Sequence, residues 1–164
     1  METKQALKKQ YHAALAMLKI AIERCPDDLW IARDHPRSFW RIAFHVLFYT
    51  HLYLQTEEAV FIPWEKDRDD NANLWEDPWQ VGTGPVPYTK QEILEYWNYC
   101  DSIVDQQIDK INLDSPSSGF DWYPIPKFEH QLVNLRHIQG HVGQLSELLM
   151  AIGIDTDWVG SVKN

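Results

Sequence analysis

The chain has 164 residues, 45% of them hydrophobic, with a formal net charge of −9 and a pI near 5.1. That length and apolar fraction fit one domain, residues 1–164, with a sizeable core, and no shift in composition divides it. The acidic balance argues against a nucleic-acid surface, which needs clustered Lys and Arg, and no stretch is apolar for long enough to span a bilayer or, from Met1 to Lys19, to form a signal core; a cytoplasmic protein handling small molecules is expected.

From Lys4 to Arg24, Leu7, Tyr11, Ala14, Leu15, Leu18 and Ile22 recur at steps of three and four, the pattern of an amphipathic helix, which Cys25-Pro26-Asp27-Asp28 terminates. His12 falls on its polar side with Lys19 and Glu23, so it is assigned to solvent and excluded as a ligand. Cys25 and Cys100 are far apart and in no CxxC arrangement, which implies neither a disulfide framework nor a cysteine zinc site. His35 precedes Pro36, where the helical conformation is disfavoured, and is placed in a connection.

A second helix, opened by Pro36 or Arg37 and running to Leu54, is apolar nearly all round and is therefore central. His45 must then sit inside it with little water, and a buried imidazole needs a carbonyl, a carboxylate or a metal as partner. His51 lies about 120° away around the same helix, so the two rings cannot aim at one ion.

Glu57 to Tyr88, rich in Pro and Gly, reads as a long irregular connection. Its Trp64, Trp75 and Trp79 suggest either an ordered cover over a site or a strap whose aromatics complete the core. Thr89-Lys90-Gln91-Glu92 is a capping box, and Ile93, Trp97, Cys100, Val104, Ile108 and Ile111 give the third helix a regular apolar stripe. A second loop, Asn112 to Pro126, carries Phe120-Asp121-Trp122-Tyr123, a cluster long enough to reach across one end of a helical bundle.

The last helix, Lys127 to Gly153, carries a stripe of Gln131, Leu135, Ile138, Val142, Leu145, Leu149 and Ile152, bordered by His137 and His141. At 3.6 residues per turn these two imidazoles lie about 40° apart around the axis and roughly 6 Å apart along it, close enough to share an ion. They make half of a metal site, without the Glu of the HExxH zinc-protease motif. Asn134, Gln144 and Leu148 share their edge, so its polar groups are candidate outer partners for a ligand ring. Gly140 and Gly143 suggest that a backbone or a ligand approaches that flank, and Gly153 is placed at the helix end. His130 lies about 10 Å before His137, too far to share its ion. The whole reads as all-α, a four-helix bundle with long crossover loops, a fold whose interior commonly houses metals.

The run Phe-His-Val-Leu-Phe-Tyr-Thr-His-Leu-Tyr-Leu around His45 and the run His-x-x-x-His-Val-Gly-Gln-Leu from His137 to Leu145 together resemble the DinB-like superfamily, the DinB and YfiT metalloenzyme group. The resemblance spans nearly the whole chain. It implies a four-helix bundle binding a divalent metal (Zn, Ni, Mn or Fe) through three histidines, which map to His45, His137 and His141. Many members carry a further histidine directly after the second ligand of the last helix, where this chain has Val142. Known activities of the group include transferase or isomerase reactions that use low-molecular-weight thiols.

Two functions follow as expectations. In the first the protein is a metal-dependent hydrolase or thiol-dependent transferase acting on a small molecule, because three imidazoles leave open positions on the ion. Tyr49, Asn134, Gln144 and Glu147 are placed near such a site by position alone. Trp75, Trp79 and Trp122 are expected to roof it. In the second, a non-catalytic metal-binding or stress-response bundle, the ion ties two helices together and the aromatic loops form a partner or homodimer interface. An open ligand position separates the two, since a structural zinc is expected to have four protein ligands.

Overall fold

The four stretches with helical periodicity fold as helices in the computed structural model, which describes residues 3–32, 37–68, 72–74 and 86–162. They are α1 (Thr3–Arg24), α3 (Phe39–Tyr53), α4 (Lys90–Lys110) and α5 (Lys127–Met150), with a short α2 (Asp27–Trp30) and a 3-10 turn at Glu58–Val60 between them. No strand occurs among the described residues, so the fold is all-α, and none of their helices is long and apolar enough to cross a membrane. His35, Trp75 and Trp79 lie outside the described residues.

The ends of the helices follow local chemistry. Thr89 Oγ1 accepts from the Glu92 amide at 3.2 Å while Glu92 Oε2 accepts from the Thr89 amide at 2.8 Å, the reciprocal box that starts α4. At the other end of the chain Gly153 adopts φ +81°, its amide donates to Met150 at 2.9 Å, and the Ile154 amide donates to Leu149 at 3.0 Å. This is a Schellman ending, so the expected role of Gly153 holds. The second long helix starts later than expected, at Phe39 rather than at Pro36 or Arg37, and the residues after Pro26 form the short α2 that no periodicity announces.

Packing follows the apolar stripes. α1 lies against α4 and α5, and α3 lies against the same two helices. Every α3 residue except Arg41, Phe48 and Tyr49 is buried, as its all-round apolar sequence requires. The expected stripe residues of α1 and α4 are all in the core. On α5 Ile138, Val142, Leu145 and Leu149 join them, whereas Ile152 lies beyond the helix end and is exposed. Gly140 and Gly143 do not mark a close approach: a Cβ at either would meet open space. His12 is not left to solvent either, because its ring bridges to Asp101 Oδ1 at 2.7 Å and Asp105 Oδ1 at 3.4 Å on α4.

Both loops are fastened to this frame. In the first, Trp64 stacks on Tyr96 of α4 (centroids 4.6 Å, planes 6° apart), and the buried Tyr88 accepts from the Arg68 amide at 2.7 Å and donates to Lys66 O at 3.0 Å. In the second, Gly119 takes φ +84° against the end of α3, where a Cβ would collide with the Thr56 carbonyl. Beside it the buried Lys127 ammonium donates to Gln55 O at 2.8 Å, Thr56 O at 2.9 Å and Ser118 O at 2.5 Å. A lysine in the first turn of a helix looks solvent-facing in sequence; here all three of its protons go to carbonyls that would otherwise be stranded.

Lys127→Met should therefore lower stability by about 2–4 kcal/mol, the cost of leaving several partly buried carbonyls without a donor. Urea denaturation measures it, and a change below about 0.5 kcal/mol would mean that water replaces the ammonium without loss.

Candidate metal centre

Burying α3 on all sides carries His45 into the seam with α5, where it is only 9% exposed. On α5 the step from His137 to His141 is one turn, so both rings emerge on the side that meets α3. The ring centroids form a nearly equilateral triangle: His45 to His137 is 4.9 Å, His45 to His141 is 4.7 Å, and His137 to His141 is 4.6 Å. One ligating nitrogen from each ring lies within 4.8 Å of the other two. The closest pair is His45 Nε2 and His137 Nε2, at 2.9 Å.

Three features prepare these rings for an ion. The first is protonation: burial holds His45 down to about 4 and His137 down to about 3, and lowers His141, so all three are neutral at pH 7 and their lone pairs are free. Second, His45 Nδ1 donates to the Ala72 carbonyl at 2.6 Å, which fixes its tautomer and presents Nε2 to the cluster. The third is the 2.7 Å contact between His141 Nδ1 and Gln144 Oε1, which does the same for that ring. Tetrahedral coordination at a metal–nitrogen distance of 2.0–2.1 Å separates ligand nitrogens by about 3.3 Å, so small rotations of the rings close the set on one ion. The donor set fits a divalent cation. No carboxylate or thiol joins the cluster among the described residues.

The other histidines are elsewhere. His51 is buried on the far side of α3, with Nδ1 3.1 Å from the Tyr96 hydroxyl and Nε2 3.4 Å from that of Tyr99, as its 120° offset requires. His130 is fully buried among Tyr53 (4.8 Å), Phe120 (4.8 Å) and Tyr123 (5.2 Å), and neither of its ring nitrogens has a hydrogen-bond partner among the described residues.

Of the positions placed near the site by sequence, Gln144 contacts a ring directly, and Tyr49 packs on His45 at 4.7 Å and on His137 at 5.6 Å. Burial raises the Tyr49 pKa, so it stays a neutral phenol at pH 7. Glu147 is exposed and lines a cavity of about 390 Å³ with Arg37, Ile42, Gly143, Gln144 and Leu148. Trp122 belongs to the other end of the seam: it packs on Phe120 at 5.5 Å and is 48% exposed. Compared with family models, with curated proteins and with solved structures, the chain matches none.

Sequence reasoning missed two contributors. The Ala72 carbonyl is a backbone acceptor in an aperiodic loop and leaves no side-chain signal. Arg37, whose charge helps to hold both His45 and His141 neutral, precedes α3 and stands more than two turns before His45 in sequence, so no helical spacing links it to the site.

The buried imidazoles set a pH limit. His51 and His130 are held at about 4 by burial, below the ordinary value of about 6.5 that they regain on unfolding. As pH falls the unfolded chain takes up protons first, so the stability these groups permit is complete above about pH 6.5 and is lost as pH falls from there through about 4. The urea midpoint should drop between pH 7 and pH 4.5, and His130→Phe should flatten that drop. An unchanged midpoint would show that the rings are not held neutral.

Proposed function

We propose that the protein is a DinB-like metalloprotein, a four-helix bundle that holds one divalent ion (Zn, Ni, Mn or Fe) on His45, His137 and His141. Its activity in this reading is a metal-dependent hydrolysis or thiol-dependent transfer on a small molecule. The observation that carries it is the convergence of three neutral imidazoles from α3 and α5 within 4.8 Å, with no fourth protein ligand among the described residues. Three ligands with positions left over is the pattern of catalytic zinc, whereas structural zinc takes four. An ion held this way acts as a Lewis acid that favours the deprotonated form of water or of a thiol.

The chain's own residues supply the rest. Ala72 O and Gln144 Oε1 keep two ligand rings in the tautomer that offers Nε2. Tyr49 covers the rings of His45 and His137 and limits water on that side. The 390 Å³ cavity shares Gln144 with the cluster and is large enough for a small substrate beside it. A second reading has one observation in its favour: His45 and His137 already meet across the α3–α5 seam, so an ion there also cross-links the two helices. In that case metal raises stability and nothing turns over, and the aromatic loops serve a partner or a second copy.

Titration with Zn²⁺ or Ni²⁺ should give one equivalent per chain, lost in His45→Ala, His137→Ala and His141→Ala and retained in His51→Ala. At a free ion concentration a hundredfold above Kd the gain is about 2.7 kcal/mol, which raises Tm by roughly 5–10 °C for a chain of this size. Full occupancy in the His137→Ala and His141→Ala proteins would sink the assignment.

In the Co²⁺ form, adding a low-molecular-weight thiol should produce a sulfur-to-metal charge-transfer band, with consumption of an electrophile that disappears in His137→Ala. An unchanged cobalt spectrum and no turnover would leave the non-catalytic reading.

A further inference from the structure

Each ligand ring has a second nitrogen that needs a partner, and only two of the three have one. The His45 proton on Nδ1 goes to Ala72 O and that of His141 to Gln144 Oε1, but His137 Nδ1 is buried with no partner among the described residues. One turn earlier on the same face of α5, Asn134 is fully buried and its Oδ1 is also without a partner. The two vacancies become complementary when an ion takes His137 Nε2: without it, the 2.9 Å contact with the unprotonated His45 Nε2 keeps the His137 proton on Nε2, and metal binding moves that proton to Nδ1, leaving a ring N–H without an acceptor and a carbonyl oxygen without a donor. They are three residues apart, about 60° around the axis and about 4.5 Å along it, and helical side chains lean toward the N-terminus, which carries the His137 ring back over the turn that bears Asn134.

The amide cannot simply be turned round. Asn134 Nδ2 donates to the Thr50 carbonyl on α3 at 3.4 Å, and the same amide bears on the buried Tyr11 hydroxyl, which itself donates to Gln131 Oε1 at 2.9 Å. Its nitrogen is committed to acceptors, so the oxygen is the atom left to accept a proton.

Resting on the metal reading above, we propose that Asn134 is the positioning residue of His137: its Oδ1 accepts the His137 Nδ1 proton, directly or through one water, when the ring turns to the ion. This gives each of the three ligands its own neutral oxygen acceptor, a loop carbonyl for His45, Gln144 for His141 and Asn134 for His137. A partner of this kind fixes ring orientation and raises ligand basicity, and its loss weakens metal affinity typically 10–100-fold. It also explains why a polar side chain persists at a fully buried point of α5, where an unpaired oxygen is costly.

The test is a Zn²⁺ competition titration of the full chain together with proton NMR of the Co²⁺ form, in which each ligand ring N–H gives its own shifted, exchangeable signal. The parent protein should show three such signals. Asn134→Leu, similar in size but without the acceptor, should bind 10–100-fold more weakly and lose one signal to fast exchange. Asn134→Asp, held as the neutral acid at this fully buried point, keeps an oxygen acceptor for His137 and an O–H for the Thr50 carbonyl, and should retain the affinity and all three signals, which excludes loss of folding as the explanation. The proposal is overturned if Asn134→Leu binds within about twofold of the parent with three signals intact, or if Asn134→Asp weakens binding as much as Asn134→Leu. An equal loss in His130→Phe would assign the oxygen to the aromatic cage and overturn it as well. A parent protein that takes up no ion removes the metal reading and this proposal together; a parent that binds with three signals while Asn134→Leu is unaffected removes only this one.

Discussion

Two imidazoles facing each other at 2.9 Å across a helix seam constrain everything around them. One buried ring on α3 meets two half-buried rings on α5, and desolvation keeps each of them neutral. A core of this kind is tolerated only if the polar atoms are paired, because each one left alone costs about 1–3 kcal/mol. The Ala72 carbonyl and the Gln144 amide supply two of the partners, and a bound cation would accept the ring lone pairs that converge between the helices. Ala72 is thereby part of the site, although it contributes only its backbone carbonyl.

α5 is the least conventional helix of the fold. Lys127, His130, Asn134, His137 and His141 follow one another at steps of three and four along a single side, so a polar ridge runs where a core helix ordinarily presents leucines. Its members are handled differently. Lys127 is fully paired with carbonyls, His130 is enclosed by aromatic rings, and the two C-terminal histidines meet α3. Gln131, just off this line, donates to Tyr53 O at 3.1 Å and accepts from Tyr11, which ties α5 to α3 and α1 at once. These fixed points set the rotation of α5, and with it the direction of His137 and His141, before any ion arrives.

Much of this was legible because periodicity reports burial. The stripes of α1 and α4 fixed which faces pack, and the unbroken apolar character of α3 placed His45 inside and His51 on another side. The edge that His137 and His141 share also held Gln144, which bonds the His141 ring, and the buried Asn134. What was hidden depends on contacts between distant segments. The His12 pairing with Asp101 needs the relative register of α1 and α4, and the Lys127 clamp needs the loop that carries Ser118 to fold back on the end of α3. The glycines of α5 misled for a related reason: helix-weakening residues suggested a close neighbour, and the space beside them is open.

The central claim is that one divalent ion sits on three histidines with positions left for something else. X-ray absorption of the Zn²⁺-loaded protein tests it directly, since imidazole rings give a characteristic multiple-scattering pattern. The account predicts three imidazole nitrogens at about 2.0–2.1 Å plus a lighter oxygen shell from solvent. A sulfur shell at about 2.3 Å in the absence of added thiol, or a spectrum best fitted with no more than one imidazole, would contradict it.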